Sequence, residues 1–191
     1  MTRDPIRPDT LGAMTLVRWS GDDLLRRLSD VLVVYASAME YPLDLAEARR
    51  GFVAAHSQRP GFRAVAALDP EGEVVGFTYG YRSVPGQWWH DQVRSTMRRA
   101  DRKQWLNDCF ELVELHVKPT HQGYGLGSSL LYELLRDAPG ETVLLSTPEV
   151  TGESTRAWRL YRRYHFADVI RNMRFPGDNR LFAILGRSLP L

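Results

Sequence analysis

Two hydrophobic periods alternate along this chain, and the switches between them mark its elements. Leu16–Trp19 reads as a first strand. Gly21-Asp22-Asp23 places acids at a helix start, and Leu24, Leu25, Leu28, Leu32 and Tyr35 keep helical spacing, which predicts one long helix to about Met39, ended by Pro42. Leu45–His56 reads as a second helix, closed by Arg59-Pro60-Gly61. Phe62–Leu68 and Val74–Tyr81 are strand-like, and the turn residues Asp69-Pro70-Glu71-Gly72-Glu73 join them as a hairpin. Trp88–Asn107 has helical tendency. Glu111–Val117 is a further strand, stopped by Pro119, which has no N–H for a sheet ladder.

The pattern then changes period. After Gln122-Gly123-Tyr124-Gly125-Leu126-Gly127, the residues Leu126, Leu130, Leu131, Leu134 and Leu135 mark one helical face. Thr142–Ser146 is a short buried strand. Glu153–Tyr164 is a helix with Ala157, Leu160, Tyr161 and Tyr164 on one face, and Phe166–Ile170 and Leu181–Leu185 are the last two strands. Strands interleaved with helices predict a mixed α/β single domain over residues 14–191, a central mixed β-sheet flanked by helices. Residues 1–13, rich in proline and polar groups, are expected to be a flexible N-terminus.

Composition narrows the classes. A chain of 191 residues with 43% hydrophobic content suffices for one domain with a sizeable core. No apolar run reaches membrane-spanning length and no signal-peptide segment opens the chain, so a cytoplasmic location without membrane association is expected. Cys109 is the only cysteine, which rules out an intrachain disulfide and fits a reducing compartment. The formal charge of +2 comes from scattered arginines interleaved with acids, with Lys103 and Lys118 the only lysines. That spread argues against a nucleic-acid face, which needs clustering. No metal site is expected.

The glycine-rich turn carries the chemistry. Glycines let backbone approach a ligand closely, and a helix start presents unpaired N–H groups and the positive end of its dipole, a setting suited to a pyrophosphate. A P-loop would require Gly-Lys-Ser/Thr, whereas Ser128-Ser129 follow Gly127. A dinucleotide fold would require a later third glycine after the first strand.

Gln122-x-x-Gly125-x-Gly127, preceded by Val117-x-Pro119, resembles the acetyl-CoA motif of the GCN5-related N-acetyltransferases. Ala157-Trp158-Arg159-Leu160-Tyr161-Arg162-Arg163-Tyr164-His165-Phe166 resembles that family's later A-x-x-L-Y-x-x-x-G-F helix. Together the two matches cover roughly residues 62–188. Trp88-Trp89, Trp105-Leu106 and Phe175-Pro176-Gly177 resemble an actinobacterial-type branch without an assigned substrate. Two positions depart from the pattern: Ser154 stands where an Asn is common, and His165 where a Gly precedes the Phe, so the helix is expected to end without a left-handed glycine cap.

The resemblance implies a fold with splayed central strands holding CoA, and transfer of an acetyl group from acetyl-CoA to a primary amine of a small molecule or protein, by direct attack in a ternary complex. A non-catalytic acyl-CoA sensor or an interaction module with the same fold are the competing readings. The resemblance implies pyrophosphate contacts from Gln122, Gly123, Tyr124, Gly125, Leu126, Gly127 and Ser128, and a further cofactor contact from Ser154. It also implies pantetheine alignment along Leu115, His116 and Val117. Tyr161 matches the general acid near the sulfur, with Tyr164 the alternative one turn on.

A lysine-like amine, with a pKa of about 10, must lose a proton before attack. Glu111, Glu114 or, more weakly, His116 is the candidate base. The odd spacing of the two glutamates predicts opposite faces of a regular strand, so only one would meet the acceptor. Tyr35, Met39, Trp88 and Trp89, with His90 beside them, are candidates for the acceptor cleft. Either a monomer or a homodimer is compatible, with the last strand available to pair across a dimer.

Overall fold

The computed structural model describes residues 14–191; the expectation for residues 1–13 lies outside the described residues. The elements run β1 (Thr15–Trp19), α1 (Gly21–Arg26), α2 (Leu28–Met39), α3 (Leu43–Glu47), α4 (Arg50–Ser57), β2 (Arg63–Leu68), β3 (Val74–Ser83), α5 (Trp88–Thr96), α6 (Arg99–Leu106), β4 (Cys109–Val117), α7 (Leu126–Leu135), β5 (Thr142–Pro148), α8 (Arg156–Arg163), β6 (Ala167–Met173) and β7 (Phe182–Ser188). The strands form one seven-stranded sheet in the order β1-β2-β3-β4-β5-β7-β6. Every neighbouring pair is antiparallel except β4–β5, which is parallel. This is the mixed sheet that the alternating periods imply.

Helices cover both faces. On one, the leucine stripe of α7 (Leu126, Leu130, Leu131, Leu134, Leu135) and Trp158 and Tyr161 of α8 pack on Val65, Val75, Phe110, Leu112, Val143 and Leu145. On the other, α1–α4 bury Leu24, Val31, Leu32, Ala46 and Val53 against Ala64, Ala66, Phe77 and Tyr79, while α5 and α6 cover Cys109, Leu144 and Ile184. The helix has one apolar side and lays it on the sheet, with its N-terminus a short turn after the end of β4.

Several predicted boundaries shift. The long first helix is two: Ser20 and Asp23 form a capping box for α1, and Arg27 leaves helical geometry (φ −108°, ψ 20°) to start α2. The second helix divides into α3 and α4. The aromatic segment divides into α5 and α6, because Met97 turns extended (ψ 136°) and its side chain enters the core. On α8 it is Trp158, not Ala157, that is buried. His165 supplies the left-handed residue itself, at φ 59°. The last strand, β7, lies inside the sheet between β5 and β6, so it has no free edge for a dimer; the strand at that edge is β6. Among the described residues no helix is long and apolar enough to cross a membrane.

Candidate active site

The sheet opens where β4 meets β5. Only Cys109, Phe110 and Glu111 pair with β5, opposite Thr142, Val143 and Leu144; beyond Glu111 the strands diverge. Lys118 N–H donates to Val75 O (2.8 Å) in the ladder with β3. By the two-residue alternation of an antiparallel ladder, the N–H groups of Leu115 and Val117 therefore point the other way, into the gap. That edge is open to a hydrogen-bonding chain laid between the strands. His116, between them, points its side chain at Glu114 instead of toward the gap.

The glycine turn sits at the mouth of this gap. Gly123 (φ 91°) and Gly125 (φ 89°) are both left-handed, and a Cβ at either would meet nothing within 4 Å. They therefore line an open hollow. Gly125 is the N-cap of α7, so the N–H groups of Leu126, Gly127 and Ser128 have no intrahelical acceptor. Those of Gly123, Tyr124 and Gly125 also lack a partner among the described residues. The run of donors at the positive end of a helix fits a pyrophosphate.

Gln122 differs from expectation. Its N–H is engaged with Pro119 O (3.3 Å), and its side chain donates to Val117 O (2.8 Å) and accepts from Arg156 (2.6 Å). It braces the cradle and is not one of its free donors. Ser128 Oγ is likewise engaged, 2.7 Å from the Tyr164 hydroxyl. Ser154 is exposed in the turn just before Thr155, whose side chain caps α8.

The two glutamates of β4 face the same side, which corrects the count from spacing. Glu111 lies opposite Tyr81 and Glu114 opposite Tyr79, with a register shift between Tyr79 and Gly80. Since Tyr79 and Tyr81 are two apart on β3, their partners share a face; β4 carries the extra residue of a β-bulge at Leu112–Val113. Gly80 is what allows it. A Cβ there would lie 2.3 Å from Glu111 O and 2.5 Å from the Phe110 ring.

Although on one face, the two carboxyls have opposite electrostatics. Glu111 is 4% exposed and, among the described residues, its Oε2 has no hydrogen-bond partner. Burial pushes its proton affinity up to about 8, against the pull of the Arg59 charge and the Tyr81 hydroxyl; the nearby Glu114 adds to the rise. Glu114 is also largely buried, and burial alone would raise it. The hydrogen bond and charge of His116 (2.6 Å) and the Arg49 guanidinium (2.5 Å) outweigh burial and hold it below the ordinary carboxylate range. One carboxyl thus titrates near neutrality and the other stays ionised, a separation characteristic of acid–base sites.

Tyr161, on the far face, is 8% exposed, and its hydroxyl makes no hydrogen bond among the described residues. Burial, with a contribution from the Glu114 charge, raises its pKa and keeps the phenol protonated. Tyr164 is tied to Ser128 and so is not the freer phenol.

Of the acceptor candidates, Tyr35 joins the glutamate group. Its ring lies 5.0 Å from His116, edge to face, and Arg49 stacks 4.8 Å above it. Met39 packs in the same cluster at the end of α2. Trp88 and Trp89 lie elsewhere, over β5 and β7: Trp89 donates to Ser146 Oγ (3.3 Å), half-exposed Trp88 packs 5.5 Å from Phe175, and buried His90 bonds Ser83. Composition and motif matching miss Arg49, His56, Arg59, Tyr79 and Tyr81, which line the same side. The period-two run Phe77, Tyr79, Tyr81 on β3 is the signal that would have found the tyrosines, and the spacing Arg49, Val53, His56 the inward side of α4.

A parallel pair opened into a gap, with a glycine cradle at its mouth and two unequal carboxyls beside it, suits an acyl-CoA-dependent transferase. The sequence matches the acetyltransferase (GNAT) family over residues 28–166, and the chain belongs to that family. It is similar to a Mycobacterium tuberculosis protein named GCN5-like protein acetyltransferase Rv2170, at 42% identity over 94% of this chain and all of that one. Among solved structures it resembles a GNAT-family protein from Desulfovibrio desulfuricans (TM-score 0.65, 18% identity, 92% of this chain and 99% of that one). It also resembles the PaiA N-acetyltransferase of Thermoplasma acidophilum in complex with coenzyme A (TM-score 0.59, 12% identity, 92% and 99%). A third likeness is Arabidopsis thaliana NAA60 in complex with acetyl-CoA (TM-score 0.58, 16% identity, 92% and 98%).

Proposed function

We propose that this enzyme transfers an acetyl group from acetyl-CoA to a primary amine by direct attack in a ternary complex, with Glu111 as base and Tyr161 as acid. The observation that carries this reading is the buried Glu111 carboxyl, whose Oε2 has no partner among the described residues, beside a Glu114 already committed to Arg49 and His116; burial pushes the Glu111 pKa up. A base works best when its pKa lies near the working pH.

In this reading the N–H groups of Gly123–Ser128 hold the pyrophosphate, and Leu115 and Val117 align the pantetheine arm as an added rung on β4. Glu111 takes a proton from the acceptor ammonium, directly or through a water. The neutral nitrogen attacks the thioester carbonyl, with Val117 N–H polarising its oxygen. The C–N bond forms and the C–S bond breaks; the departing thiolate takes the Tyr161 proton, and the nitrogen gives up its second proton through water, which restores the phenol and leaves the neutral amide. Glu114, fixed by its ion pair, holds the cluster in place and supplies negative potential at the acceptor. The name of the Mycobacterium relative supports a protein amine as one acceptor class, alongside small amines.

The test is thiol release from acetyl-CoA against a panel of small and peptide amines, for the parent and Glu111→Gln. Turnover in the parent with a loss of about 10²–10³-fold in the variant supports the reading. Equal turnover in both removes Glu111 as the base. Acetyl-CoA binding without thiol release against any amine would instead favour a sensor.

A further inference from the structure

Arg59 is the residue this site uses in an unexpected way. The segment Arg59-Pro60-Gly61-Phe62 is a turn with proline at its second position and left-handed Gly61 (φ 70°) at its third, closed by Phe62 N–H on Arg59 O (3.1 Å). Arg82 N–H donates to Pro60 O (3.0 Å), which stitches the turn to β3. A Cβ on Gly61 would press to 3.0 Å on the Arg82 side chain, so the turn sits directly on the strand. This fixes the start of Arg59. Its guanidinium donates to the Tyr81 hydroxyl (2.7 Å) and lies 4.6 Å from that ring's centre. Among the described residues it has no carboxylate within ion-pair distance. Tyr81 is in turn the cross-strand partner of Glu111. A half-buried cation without an anion is costly unless something nearby uses its field.

We propose that Arg59, acting through Tyr81, is a positioning residue that keeps the Glu111 carboxyl able to ionise in its buried place. The inference rests on the reading of Glu111 as base. The groups facing Glu111 are Tyr81 and Tyr79 from β3, Arg59 from the turn after α4, Glu114 and Cys109 from β4 itself, and the aliphatic Leu144 from β5, while His56 of α4 packs against the two tyrosines. His56 is held neutral, its pKa pushed down to about 4 by burial and then by Arg59. Glu114 carries a negative charge, and Cys109 and the tyrosines are kept protonated by burial. Arg49, the other cation nearby, is paired with Glu114. Arg59 is thus the cation left to favour the ionised form of Glu111.

The experiment is an infrared titration of the protein alone, following the C=O stretch of the protonated Glu111 carboxyl. The band is assigned by its loss in Glu111→Gln. In the parent the band is expected to disappear around pH 8. Arg59→Gln removes a stabilising charge and is expected to move that midpoint up by about one pH unit. Arg59→Lys keeps the charge without the planar fork and is expected to fall between. A purely structural Arg59 would lower the melting temperature and leave the midpoint in place. A midpoint in Arg59→Gln within about 0.2 pH unit of the parent overturns the proposal. If Arg59→Gln does not fold, Tyr81→Phe carries the same test: losing the hydroxyl raises the midpoint, and an unmoved one overturns the link through Tyr81. The titration needs no acceptor, so its outcome is separable from the turnover test. An unmoved midpoint ends the role of Arg59 and leaves the base reading standing. Unaltered turnover in Glu111→Gln ends the base reading, and with it the catalytic use of Arg59, wherever the midpoint falls.

Discussion

Glu111 and Glu114 are three residues apart on one strand, yet both carboxyls meet the tyrosines of the neighbouring strand on the same side. The odd residue between them is absorbed by the bulge that Gly80 permits. Gly80→Ala is therefore expected to cost about 3 kcal/mol, because the new Cβ meets backbone and a buried ring instead of a flexible tip. Denaturant midpoints check this. A change below about 0.5 kcal/mol would mean that the bulge relaxes without Gly80.

The buried Glu111 has consequences for pH in both rate and stability. If it is the base, kcat/KM rises with pH through about 8 and levels above it. Stability moves the opposite way. Its folded pKa is raised above the unfolded value, so between about pH 4.5 and 8 the folded chain holds the extra proton. The contribution is fully present below pH 4.5 and is lost as pH rises through 8. Glu111→Gln should therefore match the parent near pH 5 and exceed it at pH 9, by an amount on the order of a few kcal/mol. Parallel stability–pH curves for the two proteins would contradict the raised pKa.

The cradle separates two glycines that look alike in sequence. Gly125→Ala adds a methyl to open space but forces a left-handed φ on alanine, which costs about 1 kcal/mol of stability. It also places that methyl in the hollow offered to the pyrophosphate, so CoA affinity should fall by more than about tenfold, a loss of about 1.4 kcal/mol. Gly127→Ala meets only Leu160, at an ordinary 3.7 Å, and lies within α7, so it should be neutral or slightly stabilising. Calorimetric titration of CoA into both variants distinguishes the positions; equal affinities would move the pyrophosphate elsewhere.

Tyr161→Phe removes one hydroxyl that makes no hydrogen bond among the described residues and leaves the ring packed beside Phe166 at 5.6 Å. Little change in melting temperature or acetyl-CoA affinity is expected, with kcat lower by about 10²-fold. Equal kcat in variant and parent would take Tyr161 out of the chemistry.

The legible part of this molecule was the part whose evidence is local. The turn from Val117 to Gly127 and the leucine stripe after it each lie within one short stretch, and both appear in the fold as read. The shared face of the glutamates was not legible, because it is decided by Gly80, more than thirty residues away on another strand. Arg49 and Arg59 are not legible because arginines at a helix start and in a polar turn have the pattern of solvated groups; only the packed sheet shows that one meets Glu114 and the other Tyr81. The helix breaks at Arg27 and Met97 were hidden for a similar reason, since no proline or glycine stands at either place and tertiary packing makes the turn.

The short β4–β5 pairing has a mechanical consequence. Three residue pairs join a leaf of four strands to a leaf of three, with the Ser128–Tyr164 bond between α7 and the end of α8 and the Gln122–Arg156 bond from the glycine turn to α8 as clasps. The ladder is thinnest at this seam, and the core under α7 and α8, which reaches Val65 and Phe110 on one leaf and Val143 and Leu145 on the other, holds the leaves together like the spine of a bound book. A chain-like ligand laid against Leu115 and Val117 would act as the missing binding thread, so occupancy would be felt in how stiffly the two leaves move together as well as at the reacting atoms.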